Sequence, residues 1–246
     1  MSKNFELMQQ AGRNFETTSI TQPRRVPPKM HEKGYQGGAR LELGQVAREE
    51  NQRLVQRIFL PQTQEAPRVV LFAGTHEGTG CGHICLQVAE TLRSSVSGSV
   101  CLVEANLRSP LLPSLLGTPN HYGLTDALLQ EGPIRSFVKS LQNESLWFLS
   151  SGSLAGDSPN LLSSGRIKAR VDELREEFDY VLVHAPSLTQ YTDVTALGHL
   201  TDGLVLVFES NSIGKDAALG VLENLRASRI NVLAVVLNKR TFAASR

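Results

Sequence analysis

The chain has 246 residues, 41% of them hydrophobic, enough for one large α/β domain with an extension. Lys and Arg number 25 against 24 Asp and Glu, and a net charge of +1 excludes the basic footprint of a nucleic-acid binder or of a protein held electrostatically on a membrane surface. No stretch reaches the roughly 18 apolar residues of a membrane span, no apolar signal region opens the chain, and Cys81, Cys85 and Cys101 form no CxxC pair, so we expect a cytoplasmic protein with reduced thiols and no direct membrane insertion.

Residues 1–40 are rich in Pro, Gly, Gln and Lys and show no sustained period, which predicts a flexible N-terminal arm. Between Leu41 and Leu60 apolar residues fall at Leu43, Val46, Ala47, Leu54, Val55, Ile58 and Phe59 among charges, the pattern of an amphipathic helix, and Pro61 ends it. A single α/β domain is expected over 41–240, leading helix included, with a short tail over 241–246. Apolar runs at Val69–Ala73, Val100–Val103, Leu146–Leu149, Tyr180–Val183, Leu204–Phe208 and Val232–Leu237 predict strands. Helical spacing lies between most of them, near 83–95, 159–177, 190–200 and 213–228. Continuous β-branched runs joined by helical crossovers imply a doubly wound, mainly parallel sheet, with ligands at the carboxyl ends of its strands.

Three strand ends carry the informative residues. The loop Gly74–His83 has the build of a phosphate cradle, with Gly78, Gly80 and Gly82 ahead of a helix whose free N–H groups favour an anion. Cys81 and Gly82 stand where such a loop needs a Lys for the β/γ-phosphate charge and a Ser or Thr for Mg²⁺. Glu104 and Asn106 follow the second strand, and His184 closes the strand that begins near Tyr180. No Lys occurs between Lys33 and Lys139, so no nearby lysine substitutes.

In order and spacing these segments resemble the bacterial tyrosine kinase family of capsule and exopolysaccharide biosynthesis, relatives of the septum-site and plasmid-partition P-loop ATPases. The resemblance runs from about Gln45 to Asn238. It includes Leu107–Pro110, Tyr122–Leu128, Ser150–Gly152, Ser158–Leu162, Asp193, Thr201–Gly203 and Val235–Asn238. It implies a P-loop NTPase fold and a site for ATP or ADP with Mg²⁺ at Gly78, Thr79, Gly80, Cys81, Gly82 and His83, with Asn238 near the adenine. It also implies an interface on the leading helix, where Glu50, Arg53 and Gln56, with Arg57 beside it, resemble the family's ring-forming motif and support a homo-oligomer. The implied partner is a membrane-bound polysaccharide chain-length regulator or a kinase paralogue, which would bring the protein to the inner face of the plasma membrane.

The departures fall on the chemistry. The family's GxGK[ST] loop is broken at Cys81 and Gly82, and its two aspartates after the second strand correspond to Glu104 and Asn106. Its Walker B aspartate corresponds to His184, expected here to be neutral and hydrogen-bonded. All four tyrosines, Tyr35, Tyr122, Tyr180 and Tyr191, precede residue 192, so the family's self-phosphorylated tail is not expected. The reading is a degenerate, non-catalytic kinase-like protein acting through protein contacts. One alternative is an active autokinase or ATPase with Glu104 as metal ligand or base and Arg108 supplying charge. Another is a metal-binding or redox-sensing module in which Cys81, His83, Cys85 and His184 gather near Glu104. Asp126, Asp193 and Asp202 are read as helix caps.

Overall fold

The computed structural model describes residues 45–61, 66–141, 145–153, 161–162, 164–188 and 193–239. The predicted arm over 1–40 and tail over 241–246, with Tyr35 and Tyr191, lie outside the described residues.

In chain order the elements are α1 (Gln45–Phe59), β1 (Val69–Gly74), α2 (Cys81–Ser95), β2 (Val100–Glu104), α3 (Leu112–Leu116) and α4 (Leu124–Leu129). A 3-10 turn (Ile134–Phe137), β3 (Lys139–Leu141), β4 (Leu146–Leu149), α5 (Gly165–Glu177) and β5 (Tyr180–His184) follow. The last are α6 (Asp193–Gly198), β6 (Gly203–Glu209), α7 (Lys215–Ala227) and β7 (Val232–Asn238). The seven strands form one sheet in the order β3-β4-β2-β5-β1-β6-β7. All pairings are parallel except β3 with β4, where Lys139 faces Phe148. The chain runs outward from β1 through β2 and β4, returns to fill the gap with β5, and leaves on the other side through β6 and β7.

The strands read as unbroken apolar runs because both faces of the sheet are covered: every residue of β1 and β2 is buried. Alternation sorts the side chains into two cores. Val69, Leu71 and Ala73 face the layer holding Leu124, Leu128, Ile167, Val171, Val194 and Leu197. Val70 and Phe72 face the layer of α1 and α2, with Val55, Ile58, Phe59, Ile84, Val88 and Leu92. α1 owes its place to this second core: Phe59 is buried against the edge of Tyr180, ring centroids 5.9 Å apart, and Asn51 donates to Gln87. β7 is different. It pairs only with β6 and leaves Val235 and Leu237 about half exposed.

Two of the predicted caps take other roles. Asp126 does cap, accepting from the Gly123 N–H at the start of α4 at 2.8 Å. Asp193, the first residue of α6, is buried and accepts from Arg108 at 3.4 Å. Asp202 caps no helix; it accepts from the backbone N–H groups of Arg68 and Val69 at 2.7 and 2.8 Å and pairs with Arg175 at 2.8 Å, tying the start of β1 to α5. Burial pushes this carboxyl up, but Arg175 and the two N–H groups outweigh it and hold Asp202 below its usual range. A lowered value means that the stabilisation is present above the ordinary aspartate range and is lost as pH falls through the folded-state value. Asp202→Ala is therefore expected to cost about 1–3 kcal/mol at neutral pH. In urea titrations that cost should shrink as pH drops into the acid range; a cost independent of pH would contradict the assignment.

Candidate functional site

The site lies where β1, β2 and β5 end. After β1 the chain turns through Gly78 and Gly80 at φ 85° and 82°, left-handed backbone that favours glycine. Gly80 precedes α2 directly and offers no side-chain cap, so the first N–H groups of that helix face the loop. The loop is held from the far side of the sheet: Asn238, the last residue of β7, donates its amide to the Thr79 carbonyl at 2.8 Å, and a Cβ on Gly80 would collide with that amide. Glu77 and Gly78 are exposed, whereas Thr79 is buried.

Parallel pairing of β2 with β5 sets Glu104 beside His184 in register. Glu104 is fully buried and both of its oxygens are engaged. Oε1 meets His184 Nδ1 at 2.8 Å and accepts from Asn106 N at 2.9 Å. Oε2 accepts from the backbone N–H groups of Leu111 and Leu112, at the amino end of α3, at 2.8 and 2.9 Å. The carboxylate thus caps a helix that has no side-chain cap of its own.

On its other side the His184 ring faces the first turn of α2. Gly82 leaves room for the ring: a Cβ there would stand 3.3 Å from His184 Cε1 and Nε2 and 2.9 Å from Leu111 Cδ2. Burial alone would keep this imidazole neutral, as expected from the sequence. The Glu104 charge, helped by the hydrogen bond to Glu104, reverses that and raises the His184 pKa to about 10. The ring is an imidazolium at neutral pH.

The predicted cofactor residues therefore converge only in part. Gly78, Thr79, Gly80, Cys81, Gly82 and Asn238 line one loop, and His83 is half-buried in the first turn of α2. Mg²⁺ and the nucleotide phosphates fit poorly here: Glu104, the acid at the end of β2, already accepts four hydrogen bonds, its neighbour His184 has a raised pKa, and the loop has no lysine. Asn106 turns its Oδ1 to the Ser109 N–H at 3.1 Å, and Arg108 is paired with Asp193. A zinc centre is not formed either. Among the described residues no group of three His, Cys, Asp or Glu is placed to hold a metal ion, and Cys85 lies wholly within the core. The Leu111 and Leu112 donors escaped the sequence reading, although Pro110 and Pro113 flank the turn where α3 begins and mark such a start.

The predicted interface residues Glu50, Arg53, Gln56 and Arg57 are all exposed on α1, with Arg53 paired to Glu50 at 2.6 Å within the helix. Arg57 also lines a cavity of about 480 Å³ with Arg68, Arg175 and Asp202, at the end of the sheet opposite the glycine loop. No described helix is long and apolar enough to cross a membrane.

No protein-family model matches the chain. It is 30% identical over 139 residues to the tyrosine-protein kinase YwqD of Bacillus subtilis (strain 168), covering 56% of this chain and 59% of that protein. It is 27% identical over 175 residues to the succinoglycan biosynthesis transport protein ExoP of Rhizobium meliloti (strain 1021), covering 70% and 22% respectively. It is 25% identical over 176 residues to the tyrosine-protein kinase wzc of Salmonella typhi, covering 71% and 24%. The chain thus spans less than two thirds of the length of each. Among solved structures, the chimerical protein CapA2B2 superposes with a TM-score of 0.72 at 22% identity, over 79% of this chain and 85% of that one. The kinase domain of Escherichia coli tyrosine kinase ETK gives 0.68 at 17%, over 81% and 78%. A ParA family ATPase from Chlorobium tepidum TLS gives 0.59 at 19%, over 71% and 75%. Over part of their length the chain is similar to bacterial proteins named as tyrosine-protein kinases, and its fold is that of the solved tyrosine kinase domains and of a ParA family ATPase.

Proposed function

We propose that this protein is a non-catalytic, kinase-like component of capsule or exopolysaccharide biosynthesis that works by protein–protein contact. One observation carries the reading: the carboxylate at the end of β2 is already consumed by a buried imidazolium and three backbone N–H groups. Phosphoryl transfer depends almost wholly on positioning and electrostatic stabilisation, and each such contact is worth about 3–4 kcal/mol. Loss of the loop lysine and of free carboxylates thus removes several factors of about a hundredfold to a thousandfold each.

Retained architecture around an altered pocket suits a docking role. The partner is a membrane-bound polysaccharide chain-length regulator or a kinase paralogue, reached at the inner face of the plasma membrane. The exposed charged face of α1, with Glu50, Arg53, Gln56 and Arg57, is the surface offered to it or to another copy of this chain.

Two measurements test the reading. In calorimetric titrations with ATP and ADP, added Mg²⁺ should not strengthen binding, and labelled ATP should place no phosphate on tyrosine. Micromolar, Mg²⁺-dependent binding with tyrosine phosphorylation lost in Glu104→Gln would overturn it. The second is the pH dependence of stability. Because the folded value of His184 is raised to about 10, its stabilising contribution is complete below the ordinary histidine value and disappears as pH rises through about 10. Glu104→Gln should flatten that alkaline loss and cost about 3–5 kcal/mol at neutral pH, since it removes the charge partner of a buried ring that burial alone drives neutral. An unchanged alkaline profile in the variant would show that the pair is not charged as described.

A further inference from the structure

We propose that the cavity at the amino ends of β1, β6 and β7 binds a small molecule bearing a phosphate monoester on an apolar body, with Arg57 and Arg68 as its guanidinium donors. This goes beyond the docking role and does not depend on it.

The cavity has a volume of about 480 Å³, within the range of roughly 300–1,000 Å³ common for small-molecule sites. Its walls come from separate elements. Arg57 stands in the last turn of α1, Arg68 directly precedes β1, and Arg175 lies in α5. Asp202 precedes β6 and Leu233 lies in β7. Parallel pairing of β6 with both β1 and β7 brings those strand starts side by side, and the lining shares no residue with the glycine loop.

Three guanidinium groups line this cavity with a single carboxylate. That carboxylate is already spent: Asp202 meets both terminal nitrogens of Arg175 at 2.8 Å, so the two close each other's charge. Arg68 is held but not neutralised by its partners. Its Nε and Nη2 donate to the backbone carbonyls of Asp179 and Phe178 at 3.2 and 3.0 Å, leaving Nη1 with no acceptor among the described residues. The Asp179 carboxylate is near enough to feel Arg68, but its Oδ2 accepts from the N–H and hydroxyl of Ser99 at 2.7 and 2.9 Å. Arg57 is exposed and has no hydrogen bond or ion pair among the described residues.

Two guanidinium groups from different elements thus stand around one opening with donors to spare. A carboxylate would bring two oxygens and one charge. A phosphate monoester brings three free oxygens and, above roughly pH 6, close to two charges, so it can pair with both arginines at once. Because its two backbone bonds hold the Arg68 head in place, less freedom is lost when a ligand binds. Pro61, Pro67, Ile58 and Leu233 supply apolar wall for the body of the ester.

Nuclear magnetic resonance shift mapping on the intact, isotope-labelled chain tests the site, with phenyl phosphate, inorganic phosphate and benzoate as probes. Phenyl phosphate should give saturable shifts at about 1 mM or below. They should fall on the amides of Arg68, Gly203 and Asn231 and leave Gly78, Gly80 and Gly82 unmoved. Inorganic phosphate lacks the apolar body and benzoate lacks the second charge, so each should bind about tenfold more weakly. Arg57→Gln, at an exposed position, should weaken phenyl phosphate about tenfold with the fold unchanged. Affinity should also rise as pH climbs through roughly 6, where the ester takes its second charge. No saturable shift, shifts centred on the glycine loop, benzoate binding as tightly, or wild-type affinity in Arg57→Gln would each overturn the proposal. A phosphotyrosine peptide binding more than about tenfold tighter than phenyl phosphate would overturn the assignment to a small molecule.

Discussion

The contact on which the site depends is the 2.8 Å hydrogen bond between His184 and Glu104, made where neither side chain reaches water. Each charge would be costly alone at that depth, and either partner by itself would be driven towards neutrality. Together, with the Asn106, Leu111 and Leu112 N–H groups closing the remaining lone pairs, they form a satisfied polar core. That core fixes the ends of β2 and β5 to each other, seats the first turn of α3 and presents an imidazole to the first turn of α2. The helix that follows the glycine loop starts beside this pair, with Gly82 leaving room for the His184 ring.

The surrounding scaffold does not depend on the side chains of the pocket. β1, β2, β5 and β6 are buried through nearly their whole length and their side chains divide cleanly between two apolar layers, so the stability of the sheet rests on burial and not on the chemistry at its carboxyl ends. The starts of the strands have their own fastening in Asp202, Arg68 and Arg175. A fold anchored in this way holds its surface geometry whatever side chains occupy the pocket.

Most of the scaffold was legible in the sequence because its signals are long. Six strands announced themselves as apolar runs, and the helices between them by spacing, with α1 ending just ahead of the proline that was expected to stop it. Short elements were missed for physical reasons. β3 is three residues at the sheet edge, too few to show a period, and α3 and α4 are five and six residues set among prolines and glycines. At the site, Glu104 and His184 meet at adjacent strand ends, but the neutral ring expected of His184 is opposed by the Glu104 charge, which raises its pKa. Desolvation of an apolar strand end is visible in a sequence, whereas the register that sets Glu104 2.8 Å from His184 Nδ1 is not. The zinc reading failed similarly: Cys81 and Cys85 are one helical turn apart, yet α2 sends Cys85 into the core beneath β1.

Nuclear magnetic resonance of the His184 ring nitrogens at neutral pH addresses the ion pair itself. Two protonated nitrogens, with shifts that do not move on addition of Mg²⁺ and ATP, are what a closed, self-satisfied pocket predicts. A neutral ring, or one whose signals shift when Mg²⁺ and nucleotide are added together, would contradict the account by showing that Glu104 is free to serve a metal.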